Sequence, residues 1–353
     1  MSLSKYNTSI LVSFVICLSV SVTGQNKSDS SSFDNTSVFD EFFDQVEPLS
    51  IRLEFDVRQL QRYSAEEIYL PAVLTSIEEG SHEHYNVRIK TRGTFRKSYC
   101  SLPPFWLNIN RSGIPSASLK GIKKIKIVSH CMKSADYQDY VLKEYLAYKI
   151  YQLISPYSFR VRLLHVNYID TGRKNRQSEG WAFAIEPVET MAERLDAAII
   201  ENTKLSMARM NAGIMDRLSM YYYMTGNTDF SITGMHNVKI IRLNKPGPLG
   251  NIPVPYDFDF TGFVNTSYSS PADNVPLEKV TERYYVGPCR PEETFNGIIA
   301  AYFNTSDEIH SLLQSFEYMS LEQKLDMLRF IESFFDEISQ ENFIRENIMK
   351  SCK

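Results

Sequence analysis

Gly226-Asn227-Thr228-Asp229-Phe230-Ser231, His236-Asn237 and Val254-Pro255-Tyr256-Asp257-Phe258-Asp259-Phe260-Thr261-Gly262 place an aspartate, an asparagine and a pair of aspartates within about thirty residues. Phosphoryl transfer from a metal nucleotide needs such groups. One carboxylate orients the attacking hydroxyl, while an amide oxygen and a second carboxylate hold the divalent ion. Alternation along a strand would project Asp257 and Asp259 to one face, where two carboxylates repel unless a cation lies beside them. Each residue alone has a plainer role. An aspartate at a Gly-Asn turn commonly turns or caps the chain, and paired carboxylates commonly meet arginine.

The flanking elements must bring these groups together. Residues 205–224 have helical spacing, with Met207, Met210, Ile214, Leu218 and Tyr221 on one stripe, and end just before Asp229. His236-Asn237 leads into the strand pattern Val238-Lys239-Ile240-Ile241. Far upstream, 50–57 alternates apolar and polar residues as a half-buried antiparallel strand does. Short strand candidates follow at 69–76, 86–92, 105–109, 123–129, 159–169 and 181–186, and their Gly, Pro and Ser boundaries predict a meandering antiparallel sheet. One long helix, 136–154, interrupts them between Ser134 or Asp136 as cap and Pro156 as stop. Leu142, Leu146, Ile150 and Leu153 form one apolar stripe, and Tyr137, Val141, Tyr148 and Tyr151 a second with Glu144 inside it. A glutamate there either meets a partner across a polar cleft or lies at the solvated margin. After Glu186 the spacing turns helical at 189–200, and helices close the chain at 292–303, 306–317, 320–337 and 340–350.

A net charge of −4 over 353 residues provides no dominant basic field, which argues against nucleic acid as the partner. Hydrophobic content of 43% and aromatic content of 12% supply a sizeable core. The chain has no H-E-x-x-H metal motif and no G-x-S-x-G elbow for a hydrolase triad. Lys5 and the apolar run Ile10 to Val22 make residues 1–24 a secretory signal peptide, cleaved before Gln25. That run is shorter than the ~20 residues of a bilayer-crossing helix, and no other segment is long and apolar enough to span. Bulky Ile16 disfavours a lipid anchor at Cys17. Residues 25–45, polar and Ser-rich, read as a disordered leader. The expected location is therefore exported: periplasmic, cell-surface or secreted. Of the remaining cysteines, Cys100 with Cys131 and Cys289 with Cys352 are the favoured disulfide pairs.

The pattern N-T-D…H-N…V-P-Y-D-F-D is similar to the active-site region of the spore-coat CotH kinase family. More distantly, it looks like the N-x-D…N…Y-D arrangement of HipA-type kinases. Val87 to Arg96, reading VRIKTRGTFR, resembles the early strand and R-G turn of CotH-like domains. Val166-Asn167-Tyr168 through Ala184-Ile185-Glu186 resembles their strand pair ending in glutamate. The resemblance extends from about residue 86 to 264.

It implies an α+β, two-lobed, protein-kinase-like fold, with a β-rich N-lobe over 46–188 that includes one long helix. A helical C-lobe over 189–353 would carry the catalytic loop. The implied chemistry is transfer of the ATP γ-phosphate to a protein hydroxyl outside the cytoplasm, with Mg²⁺ or Mn²⁺. Asp229 would orient the acceptor hydroxyl, Asn237 and Asp257 would hold the metal, and Asp259 is an alternative or second ligand. In a kinase lobe the phosphate lysine stands on the strand before the helix that bears its glutamate partner. That order selects Lys126 with Glu144, keeping Lys124 and Lys90 in reserve. Arg92 of the turn and Glu186 complete the expected cofactor-binding set.

The chain also departs from the pattern. It has no G-x-G-x-x-G loop, so the basic turn Arg92-Gly93-Thr94 would hold phosphates through side chains. Cys100-Ser101-Leu102-Pro103-Pro104 stands where the family's lysine is expected, and Asp229 to Asn237 is longer than a protein-kinase catalytic loop. Two further readings follow: a secreted pseudokinase or nucleotide- or protein-binding module without transfer, and a non-kinase cell-surface structural protein.

Overall fold

The computed structural model describes residues 38–77, 84–109, 123–201, 204–245, 247 and 250–353; the expected signal peptide and most of the expected leader lie outside them. In β1 (Leu49–Phe55), β3 (His84–Thr91) and β4 (Phe105–Ile109) buried residues alternate with more exposed ones, as the period-two pattern requires. With β2 (Leu70–Ser76), β5 (Lys124–Ser129), β6 (Val161–Asp170) and β7 (Arg176–Ile185) they form a barrel-like sheet in the order β1-β2-β3-β4-β5-β7-β6. All these neighbours are antiparallel except one. β6 lies parallel to β1, with Leu49 opposite Leu164 and Phe55 opposite Asp170, so the pairing returns on itself. The expected antiparallel meander lacks this rung. Alternation fixes which face a side chain takes, not the direction of the neighbouring strand.

Leu53, Leu74, Ile89, Phe105, Ile127 and Val166 fill the inside of this sheet. Its outer face, through Val128, Leu163 and Phe183, shares a second core with the helices. Three short helices lie along the sheet's segments: α1 (Val38–Asp44), α2 (Val57–Arg62) and α3 (Phe95–Tyr99). α1 falls in the expected disordered leader, yet its Phe42 and Phe43 are buried and Arg162 Nη1 donates to the Phe42 carbonyl. Polar composition upstream concealed this apolar anchor.

The long helix α4 (Ala135–Ile154) is buried continuously from Val141 to Tyr148, so both of its apolar stripes are used. It packs against β7 on one side and against the helical half on the other. That half contains α5 (Val188–Arg194), α6 (Ala212–Thr225), α7 (Glu292–Asn304), α8 (Ser306–Ser315) and α9 (Leu321–Ile338). Within it β8 (Ala197–Ile199), β9 (Val238–Leu243) and β10 (Asn251–Pro255) form a separate antiparallel sheet, β8-β9-β10. The helix expected over 189–200 is therefore α5 followed by a strand. Cys100 is bonded to Cys131 and Cys289 to Cys352, as the cysteine positions suggested. The two links fit an oxidising compartment. No helix among the described residues is long and apolar enough to cross a membrane.

Candidate functional site

Asp229 stands on the loop that leaves α6. Gly226 ends that helix with a φ of 63°, its N–H turned back to the Tyr222 and Tyr223 carbonyls. A Cβ there would be strained by that φ and would lie 3.1 Å from the Val280 carbonyl oxygen, so glycine is required twice over. The Gly226 carbonyl accepts from the Gly262 N–H, and Phe263 N–H donates to the Thr225 carbonyl. The loop bearing Asp229 is thus joined at its base to the loop bearing Asp257 and Asp259.

Ser231 and His236 exchange both backbone hydrogen bonds, closing a hairpin that returns Asn237 to Asp229. Asn237 Nδ2 donates to Asp229 Oδ2 at 2.9 Å and to its main-chain oxygen at 2.8 Å. His236 Nε2 lies 3.0 Å from Asp229 Oδ1. Both carboxylate oxygens are therefore oriented, while the side chain keeps 32% of its exposure toward solvent. Sequence reading paired His236 with Asn237 but gave it no role. Its place across the hairpin from Ser231 is what aims it at Asp229.

Asp257 and Asp259 are not on a strand, contrary to the expectation from alternation. β10 ends at Pro255, and Asp257 turns the chain with a φ of 64°. Asn237 and Asp257 both adopt the left-handed region, which costs a non-glycine residue and clusters at functional sites. The Asn237 carbonyl accepts from Tyr256 N–H at 3.0 Å, and the Tyr148 hydroxyl oxygen accepts from Asp257 N–H at 2.8 Å. The two aspartates still converge, but on Arg96.

Arg96, on the short helix after the basic turn, belongs by sequence to the basic residues around that turn, but its partners are carboxylates that sequence reading did not give it. Its Nη1 and Nη2 donate to Glu144 at 2.9 and 3.3 Å, and Nη2 also donates to Asp257 Oδ1 at 2.7 Å. Its Nε stands 3.1 Å from Asp259 Oδ2. The one available signal was Glu144 itself, a carboxylate inside an apolar stripe and so in need of a cation. Lys126 is not that cation. Its Nζ lies 5.5 Å from the Trp106 ring centroid and 5.2 Å from that of Tyr256. An ammonium is one point charge, whereas a guanidinium can serve three carboxylates together. The reserve lysines are elsewhere: Lys124 over the Trp106 ring at 3.8 Å, and Lys90 against Glu67 at 3.6 Å.

Burial opposes the Arg96 charge, but Asp259 and Glu144 beside it hold its pKa well above the usual value. Three carboxylates around one guanidinium leave surplus negative charge. Burial accordingly pushes Glu144 up, and Asp259 well up, against the attraction of Arg96. Burial would raise Asp257 as well, yet Arg96 and then Arg92 hold it below the ordinary carboxylate value. The open carboxylate stays ionised and the enclosed ones take the strain. Burial, followed by repulsion from Arg92 and Lys239, lowers Lys126 to about 7.

Arg92, Arg96, Asp229, Asn237, Asp257 and Asp259 line one cleft of about 660 Å³. A second cleft, of about 620 Å³, is lined by Trp106, Lys126, Pro187, Glu189 and Lys239. Glu186 belongs to neither. It is completely buried, and its two oxygens accept from the side chains of Arg160 and Arg194 and from the Arg160 N–H. That saturated clamp leaves it no role at a nucleotide, and it instead fixes the end of β7. Glu186→Ala is expected to cost about 3–5 kcal/mol, as does removal of one member of a buried ionic network. Urea unfolding of the two proteins would test this, and a loss below about 1 kcal/mol would reject the clamp.

Asp257 could hold a divalent cation, since of the three carboxylates around Arg96 it is the one whose side chain is 27% exposed on the cleft, although Arg96 already takes its Oδ1. Asn237, its amide nitrogen engaged by Asp229, has its carbonyl oxygen as a second hard donor. No protein-family model matches this chain, and no curated protein matches it. Among solved structures, the proinflammatory kinase CtkA of Helicobacter pylori is similar at 12% identity, over 76% of this chain and 86% of that one, with a TM-score of 0.33. A likeness that loose carries no inference about chemistry.

Proposed function

We propose that this protein is an exported, CotH-like atypical kinase that transfers the γ-phosphate of ATP to a protein hydroxyl. The supporting observation is the convergence of Arg92, Asp229, Asn237 and Asp257 on one cleft, from stretches far apart in sequence. In this reading the barrel-like sheet with α4 is the N-lobe and the segment from about residue 189 is the C-lobe. The base and ribose lie in the cleft beside Trp106 and Pro187, with the phosphates running past Lys126 and Arg92 toward Asp257. Asp257 and Asn237 would hold Mg²⁺ or Mn²⁺, which when bound would supply counter-charge to the phosphates. Asp229, oriented by His236 and Asn237, accepts a hydrogen bond from the acceptor hydroxyl and takes its proton as the phosphoryl group leaves ADP.

A fluorescent ATP analogue should bind in the presence of Mn²⁺, and labelled γ-phosphate should reach an added protein or the chain itself. Failure to bind nucleotide with any divalent ion would sink the proposal. A second reading is favoured by one contact: Glu144 is held by Arg96 rather than by a phosphate-facing lysine. A pseudokinase would bind the metal nucleotide and transfer nothing.

Lys126 makes the nucleotide affinity pH-dependent. Arg92, Lys239, Asp257 and Glu189 surround it, and it deprotonates as pH rises through about 7. Phosphates favour the charged form, so affinity falls above that pH, by up to about tenfold per unit. Lys126→Met should bind more weakly at pH 6 and lose this slope. Equal slopes from pH 6 to 9 in both proteins would show that Lys126 does not meet the phosphates.

A further inference from the structure

Glu144, Asp257 and Asp259 each offer an oxygen within 4.8 Å of the others, close enough for one cation to touch all three. The chain supplies a cation there itself. Resting on the kinase reading above, we infer that Arg96 stands in for a second divalent ion, so that the cleft takes one metal ion per nucleotide, on Asp257 and Asn237, and none on Asp259.

Three observations carry this. The Arg96 guanidinium hydrogen-bonds both oxygens of Glu144 and one of Asp257, and its Nε faces Asp259 at 3.1 Å, so the enclosed carboxylates already have their counter-charge. Exposure divides the set in the same way. The side chains of Glu144, Arg96 and Asp259 are 2%, 8% and 7% exposed, against 27% for Asp257, the most open of the three carboxylates around Arg96. Finally, Arg96 cannot easily leave. Withdrawing it would leave Glu144 on α4 without its cation and Asp259 with only the Tyr268 hydroxyl, at 3.1 Å, in a buried site, a costly change. A second ion would have to sit against a fixed positive group.

Arg96 is thus a positioning residue: it holds Asp257 toward the metal without touching phosphate. Its test is a count of bound metal. Mn²⁺ titrated into the protein with a saturating non-hydrolysable ATP analogue, followed by electron paramagnetic resonance, should give one ion per chain. Arg96→Met, checked for fold by circular dichroism, should give two, because the three carboxylates then lack a cation. Arg96→Lys, which keeps the charge, should give one. Should Arg96→Met fail to fold, the wild-type and Arg96→Lys counts still decide. Two ions on either of these, or one on a folded Arg96→Met protein, overturns the inference and leaves the kinase reading standing. No nucleotide-dependent Mn²⁺ binding at all overturns both.

Discussion

If the chain is the proposed kinase, Asp229→Ala is expected to lower phosphoryl transfer by about 10²–10⁴-fold while its affinity for the metal nucleotide stays near wild type, the span for removal of a positioned general base. The carboxylate lies at the mouth of the cleft, held by His236 on one oxygen and Asn237 on the other. Neither contact runs through Arg96, so the acidic cluster behind it should survive the substitution. Transfer is measured with labelled γ-phosphate, and affinity with a fluorescent analogue. His236→Ala tests the orientation separately. It leaves the carboxylate in place with one support gone, so its loss should be smaller than that of Asp229→Ala. A full wild-type rate in Asp229→Ala would show that another group accepts the proton. A wild type that binds nucleotide but transfers to no acceptor would favour the pseudokinase.

On the same reading, Asp257→Asn is expected to remove metal-dependent nucleotide binding. Losing an outer-shell partner of a metal site commonly costs 10–100-fold in affinity, so loss of the ligand itself should exceed about 100-fold. The asparagine is close in size and can keep the left-handed turn at this position, where φ is 64°. Tyr148 should continue to accept the backbone N–H, since that contact does not involve the side chain. The variant therefore separates binding from folding: its thermal unfolding should resemble wild type while Mn²⁺ no longer promotes nucleotide binding. Retained metal-dependent binding would move the metal off Asp257 and with it the assignment of the cleft.

The acidic groups of the site were legible because their types and order along the chain are local facts. Asp229, Asn237 and Asp257 do share a cleft, as their spacing suggested. So were the strands, whose alternation reports a buried face, and α4, both of whose apolar stripes are buried except at the ends, where Tyr137 is half-buried and Leu153 is exposed. The cysteine positions anticipated both links. Other expectations failed for one reason: period and spacing specify faces, and faces do not name partners. Lys126 was chosen by its order along the chain, but order cannot tell that Arg96, from a five-residue helix beyond the basic turn, reaches Glu144 first. Glu186 ended the right strand, yet its arginines, 26 residues before and 8 residues after it, became neighbours only once β6, β7 and α5 had packed.

The sequence by itself determined the inventory: which acids and bases the chain carries, in what order, and which stretches must bury an apolar face. Only the tertiary structure decided the pairing of charges. A buried carboxylate takes whichever cation the packing brings within reach, and here that choice was made by the parallel closure of β6 on β1, the left-handed turn at Asp257 and the joining of two loops at Gly226 and Gly262.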